Sequence, residues 1–230
     1  IGWSYGVDLR WEPAHMEVTA RSMTNTPRSV TILGSTGSVG CSTIDLIERN
    51  PADYVIEALT AWRNSELLID QARRLRPRFV VIGDETRYLA VKEALSGTST
   101  EVACGRDAII DAAARPSDLV IAAIVGASGL APTLAAVNRG AMIGLANKEC
   151  LVCAGDLMVD AIGQNGAVLL PVDSEHNAIF QVFNVDQRKA VDHLILTASG
   201  GPFRTFTTEQ MRDVTPAQAV AHPNWDMGAK

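Results

Sequence analysis

Ser29-Val30-Thr31-Ile32-Leu33-Gly34-Ser35-Thr36-Gly37-Ser38-Val39-Gly40 is the stretch whose reading decides the fold. A short run rich in β-branched and apolar residues leads into three glycines spaced by threes. An amphipathic run follows, with Ile44, Leu46 and Ile47 set among Asp45, Glu48 and Arg49. That order predicts strand, tight turn, helix. Glycines there let the backbone bend sharply, and they let a phosphate approach the free N–H groups and positive dipole end of the helix. The spacing is G-x-x-G-x-x-G rather than the dinucleotide fingerprint G-x-G-x-x-G, so a glycine turn that binds nothing is the plain alternative.

Outward from that turn, strands and helices alternate. Strands are expected at Tyr54–Thr60, Arg78–Ile82, Glu101–Cys104, Asp118–Ile124, Ala141–Leu145, Val168–Val172 and Asp192–Ala198. Helices are expected at Ser65–Leu75, Asp84–Leu95, Asp107–Ala114 and Ala131–Asn138, with Asn184–Ala190 as a polar connector. Such alternation predicts an α/β, Rossmann-like, doubly wound parallel sheet.

Length and charge narrow the function classes. The 230 residues, 47% of them hydrophobic, suffice for one large domain or two small ones with a buried core. A net charge of −6 disfavours nucleic acid and anionic membrane as partners, while leaving phosphorylated small molecules open. Leu119 to Val137 carries no charge, but Gly126, Ser128, Gly129 and Pro132 interrupt it, so a buried strand, a turn and a buried helix explain it better than a membrane span. No signal peptide is visible. Cys41, Cys104, Cys150 and Cys153 form no disulfide framework, and Cys150-Leu-Val-Cys153 reads as two buried thiols on a helix. This usage suits a reducing cytoplasm. Residues 1–28 read as an extension of unassigned role, with Met16 or Met23 as a candidate start.

Ligands of open α/β sheets sit at strand C-termini, so the strand ends carry the chemistry. The second strand ends in Ala61-Trp62-Arg63-Asn64, with a cation where NAD-specific domains place an acid. Arg63 can pair with a 2′-phosphate, which favours NADP; an ordinary surface arginine is the alternative. Asn147-Lys148-Glu149 follows the next long strand and points into the cleft, or merely caps a helix. In Asp173-Ser174-Glu175-His176-Asn177 the acids are two apart, so an extended backbone turns both carboxylates one way, as a Mg²⁺ or Mn²⁺ site would need. A capped acidic turn is the alternative. Ser199-Gly200-Gly201 can offer several N–H donors to a phosphate. The proline, glycine and tryptophan of His222-Pro-Asn-Trp225-Asp-Met-Gly228 suit either a closing lid or an ordinary loop.

Taken in order, the Gly34–Gly40 turn, Leu145-Ala-Asn-Lys-Glu149, Pro171-Val-Asp-Ser-Glu-His-Asn177, Ser199-Gly-Gly-Pro-Phe-Arg204 and His222-Pro-Asn-Trp225 resemble the 1-deoxy-D-xylulose-5-phosphate reductoisomerase family, from about Val30 to Lys230. The resemblance implies an NADPH-binding domain over residues 29–172 and the start of an α+β catalytic domain over 173–230. It implies rearrangement of a phosphorylated sugar and its reduction to 2-C-methyl-D-erythritol 4-phosphate, with Mg²⁺ or Mn²⁺, in a homodimer. Thr36, Gly37, Ser38 and Val39 would then hold the pyrophosphate, and Arg63 and Asn64 the adenosine phosphate end. Asn147, Glu149 and Gly228 would line the cofactor. Asp173 and Glu175 would bind metal. Lys148, Ser174, Glu175, Ser199 and His222 would contact substrate, with Lys148, Glu175 and His222 catalytic. Trp225 would close over the substrate, with Met227 near the nicotinamide. Trp62 stands where many relatives have a small residue. The family's third metal-binding glutamate follows in its next segment, so the 230 residues by themselves are expected to turn over little or nothing. A semialdehyde-dehydrogenase-type oxidoreductase, with a cysteine nucleophile, and an NADP-binding regulatory module without chemistry remain the competing readings.

Overall fold

The computed structural model describes residues 26–221. Seven strands, β1 (Arg28–Leu33), β2 (Tyr54–Ala61), β3 (Phe79–Ile82), β4 (Glu101–Cys104), β5 (Leu119–Ala122), β6 (Met142–Leu145) and β7 (Val168–Pro171), form one sheet in the order β4-β3-β2-β1-β5-β6-β7. Every pairing is parallel. The chain winds outward from β1 to β4 and then returns to the other side of β1. The reversal therefore falls between β1 and β5, where doubly wound sheets open a crevice at their C-terminal edge. The expected fold class is observed.

Parallel strands need crossovers, and helices supply them: α1 (Ser38–Arg49), α2 (Ser65–Leu75), α3 (Tyr88–Ala94), α4 (Arg106–Ala114), α5 (Leu130–Asn138) and α6 (Glu149–Asn165). With helices on both faces, alternate residues of one strand enter different cores. In β1, Val30 and Ile32 join Ile56, Leu59, Leu68, Val80 and Ile82. Leu33 instead joins Val120, Ala122, Val137, Ile143 and Met158. The uncharged run from Leu119 is β5, a loop and α5. No helix among the described residues is long and apolar enough to cross a membrane.

Past β7 the secondary structure becomes short: α7 (Ser174–Val182), a 3₁₀ segment at Val185–Ala190, α8 (Thr208–Met211) and α9 (Pro216–Val220). Both α8 and α9 begin with a reciprocal capping box, Thr207 with Gln210 and Thr215 with Gln218. The strand expected at Asp192–Ala198 is absent. The segment pairs with neither edge strand of the sheet, β4 or β7, and Leu194, Ile195 and Leu196 lie exposed. A strand exists only through its partner, which periodicity does not reveal.

The tightest point in the fold is the start of α1. Gly34 sits at φ +85°, and a Cβ there would lie 2.8 Å from the Ala123 carbonyl oxygen. A Cβ on Gly40 would overlap the Gly34 carbonyl and the Ser35 backbone. Alanine normally favours a helix over glycine by about 1 kcal/mol. At Gly40 the sign reverses, because backbone atoms cannot yield. Gly40→Ala is expected to destabilise the protein by about 1–3 kcal/mol in urea unfolding, whereas Gly155→Ala, in the open on α6, should not.

Candidate active site at the C-terminal edge of the sheet

The glycine turn is held from two sides. The Thr60 hydroxyl, at the end of β2, accepts from the Gly34 N–H at 3.0 Å, and the Thr60 carbonyl accepts from the Ser35 N–H at 2.8 Å. From α2, the buried Gln71 side chain donates to the Ser35 carbonyl at 3.0 Å. Neither Thr60 nor Gln71 lies near the turn in sequence, and no motif marks them. With the turn clamped, α1 follows its cap residue Gly37, which offers no capping side chain, and its first turn carries no acid. Gly37 and Ser38 are exposed, with Thr36 and Val39 half-buried beside them. The early N–H groups of α1 thus face a space where an anion would complete them.

At the end of β2, Arg63 is 74% exposed and its Nε lies 3.5 Å from Asp84. Hydrogen bonding from Thr86, with Arg63 and Arg87 nearby, holds the Asp84 carboxyl below its ordinary range. Asn64 caps α2, its side-chain oxygen accepting from the Leu67 N–H at 3.1 Å.

At the end of β6, Asn147 is buried rather than open to a ligand. Its amide donates to the Ile124 carbonyl and, at 2.9 Å, to the Gly126 carbonyl, bracing the loop after β5. Its carboxamide oxygen is buried with no partner. Lys148 is exposed and shares a hollow of about 210 Å³ with Leu145, Leu151, Leu169, Pro171, Asp173 and His176. Glu149 opens α6, where an acid suits the helix dipole.

The acids after β7 depart from the expected extended geometry. The strand stops at Pro171, and Asp173 is already the cap residue of α7, so residues two apart turn to different sides. Asp173 pairs with the His176 Nδ1 and lines the Lys148 hollow. Glu175, in the first turn of α7, lines a larger groove of about 560 Å³ with Ile179, Val182 and Leu194. No three His, Cys, Asp or Glu side chains among the described residues gather into a metal-holding group. Ser174 is exposed, as is Ser199, whose hydroxyl accepts from the Gly201 N–H at 3.2 Å. His222, Trp225, Met227 and Gly228 lie outside the described residues.

The two cysteines of α6 differ. Cys150 is buried, and desolvation pushes its thiol up despite the Thr133 hydroxyl 3.7 Å away. Cys153 is exposed, against the expectation of two buried thiols. Three residues along a helix leave the two thiols about 60° apart around its axis, and the packed strip is narrow enough there that residues 151–153 all lie exposed.

Comparison with known proteins places this geometry. A family model for 1-deoxy-D-xylulose 5-phosphate reductoisomerase matches residues 30–155, and a model for that enzyme's C-terminal domain matches residues 169–230. The chain is 60% identical over 203 residues to the reductoisomerase of Rhodospirillum centenum, covering 88% of this chain and 50% of the relative. It is 55% identical over 204 residues to that of Zymomonas mobilis, covering 89% and 53%. The chain spans about half the length of the curated relatives it matches. The solved Zymomonas mobilis enzyme in complex with NADPH superposes with a TM-score of 0.81 at 53% identity, over 85% of this chain and 52% of that one. A reductoisomerase structure with NADPH, fosmidomycin and magnesium superposes with a TM-score of 0.76 at 39% identity, over 87% of this chain and 52% of that one.

Two outcomes follow from the side-chain placements. Asn147→Ala removes two donors to the loop after β5 and should cost about 1–3 kcal/mol of stability in chemical denaturation, with faster amide exchange at residues 124–129. Iodoacetamide at mildly alkaline pH should modify Cys153 readily and Cys150 slowly, as peptide mass mapping would read.

Proposed function

The chain belongs to the 1-deoxy-D-xylulose 5-phosphate reductoisomerase family, and from that premise we propose that its protein converts 1-deoxy-D-xylulose 5-phosphate to 2-C-methyl-D-erythritol 4-phosphate with NADPH and Mg²⁺ or Mn²⁺. The observation that carries the proposal is the clamped glycine turn: an uncapped helix N-terminus beside the sheet's reversal point, free of acids, on a chain of net charge −6. Thr36, Gly37, Ser38 and Val39 offer that surface to the pyrophosphate. Arg63, at the end of β2, favours the 2′-phosphate of NADPH over the bare ribose of NADH. Asn64, already capping α2, retains its amide N–H₂ for the same phosphate. Buried Asn147 positions the loop after β5, and Glu149 at the start of α6 stands beside it; Gly228 is the further cofactor contact that the family resemblance implies.

Lys148, Ser174, Glu175, Ser199, His222 and Trp225 form the proposed substrate site, with Lys148, Glu175 and His222 closest to the chemistry. The exposed ammonium of Lys148, across the hollow from Asp173, suits a phosphorylated or hydroxylated sugar. Asp173 and Glu175 are the proposed metal carboxylates. They fit such an ion only in part, since in this arrangement they line different hollows and no third ligand gathers with them among the described residues. When bound, the metal would polarise the substrate carbonyl, and the reduced nicotinamide would supply the hydride. A homodimer in the cytoplasm completes the proposal, the four free thiols suiting a reducing compartment.

A nucleophilic cysteine of the semialdehyde-dehydrogenase kind fits poorly. The buried Cys150 resists ionisation, and Cys153 faces away from the packed interior. A regulatory NADP-binding module without chemistry is the second reading.

Magnesium titration of the purified full-length protein separates the two. Asp173→Asn should raise the Mg²⁺ concentration for half-maximal, substrate-dependent NADPH oxidation by about tenfold or more, with NADPH affinity unchanged. A module would oxidise no NADPH and show the same Mg²⁺ affinity with or without Asp173.

A further inference from the structure

The buried face of α2 carries a carboxamide where an apolar side chain would pack: Gln71, 1% exposed, beside Leu68 and Ala72. Its Nε2 donates to the Ser35 carbonyl at 3.0 Å and lies 3.9 Å from the Cys41 Sγ. The Cys41 thiol is 3.7 Å from the same carbonyl. The other half of the carboxamide is unmatched. Gln71 Oε1 is buried without a partner, and so is the Ser35 Oγ. A carboxamide satisfied at one end is poor core filling, because an unpaired buried oxygen costs more than an apolar side chain of the same shape would. Packing alone therefore gives no reason for a glutamine at this position.

What the Nε2 bond fixes is a direction. The Ser35 carbonyl and the Thr36 N–H belong to one planar trans peptide, in which C=O and N–H point opposite ways. With the carbonyl drawn toward Gln71, the Thr36 N–H is turned away from α2. The N–H groups on either side are engaged: that of Ser35 donates to the Thr60 carbonyl at 2.8 Å, and that of Gly37 to the Gly34 carbonyl at 3.2 Å. The Thr36 N–H meets no acceptor among the described residues. Without the Gln71 donor, this peptide plane could rotate about its flanking dihedrals, and the open N–H would lose its aim.

We infer that Gln71 is a positioning residue for the dinucleotide: by holding the Ser35 carbonyl from α2, it aims the Thr36 N–H at the pyrophosphate. This rests on the cofactor reading above and deepens it. Gln71 itself touches no ligand. It acts through one peptide plane, from 36 residues along the chain. A donor aimed in advance gains affinity because no backbone rotation has to be frozen when the anion arrives. An apolar side chain of similar length would exchange one property for the other, removing the unpaired oxygen and releasing the peptide.

Calorimetric titration of the purified full-length protein with NADPH, together with steady-state kinetics at saturating substrate and Mg²⁺, tests this role. Gln71→Met, of similar length but without a donor, should weaken NADPH binding and raise its KM by about tenfold. Its kcat should stay within about twofold of the wild type, and its urea midpoint should not fall. Gln71→Glu, whose carboxylate cannot donate, should lose at least as much NADPH affinity. In the wild type, the Gln71 side-chain amide protons should be as protected from solvent exchange without NADPH as with it. Wild-type NADPH affinity in Gln71→Met or Gln71→Glu would overturn the inference and leave the cofactor reading standing. A fall in kcat as large as the rise in KM would overturn it too, as would amide protection that appeared only after NADPH bound. Wild-type protein that bound no NADPH would remove the cofactor reading and the inference together.

Discussion

One steric constraint organises the sheet and the helices packed on it. Helix α1 can leave β1 only if Gly40 lies against the backbone of Gly34 and Ser35, and Gly34 can turn only through a positive φ beneath Ala123. Side chains at either position would push the helix away from the strand. Because they are absent, the N-terminus of α1 is brought to the sheet's C-terminal edge with its first N–H groups uncapped. The same closeness that packs helix on strand therefore leaves those N–H groups open at the sheet edge, the geometry an anion would need.

The surrounding side chains convert that possibility into a rigid surface. Thr60 and Gln71 hold the turn from β2 and α2, and Asn147 holds the facing loop from β6. These groups are buried, and their hydrogen bonds are made in a low-dielectric interior, where a lost partner costs more than it would at the surface. The charged groups, Arg63, Lys148 and Glu149, stand at the strand ends. The division is physical: buried amides set geometry, and exposed or half-buried ions remain available to a ligand.

Legibility in the sequence follows the range of each interaction. The βαβ alternation, the glycine turn and the Arg63 cation were readable because each depends on neighbours within a few residues. Asp173 and Glu175 were read as one extended pair because residues two apart share a face in a strand. The Pro171 break and the start of α7 turned them into a helix start, lining different hollows. Asp192–Ala198 carried a strand's composition without a partner to pair with. Cys153 shared a motif with Cys150 but not its face of α6.

The sequence by itself determined the fold class, the family and the location of the glycine turn, since local periodicity, glycine spacing and short motifs need no knowledge of distant contacts. Tertiary structure alone decided that Thr60 and Gln71 lock that turn, that Asn147 is a buried brace, and that Trp62 lies between Gly83 and Arg106. Those pairings join residues roughly 20 to 45 positions apart, and only closure of the parallel sheet brings them within a few ångströms of one another.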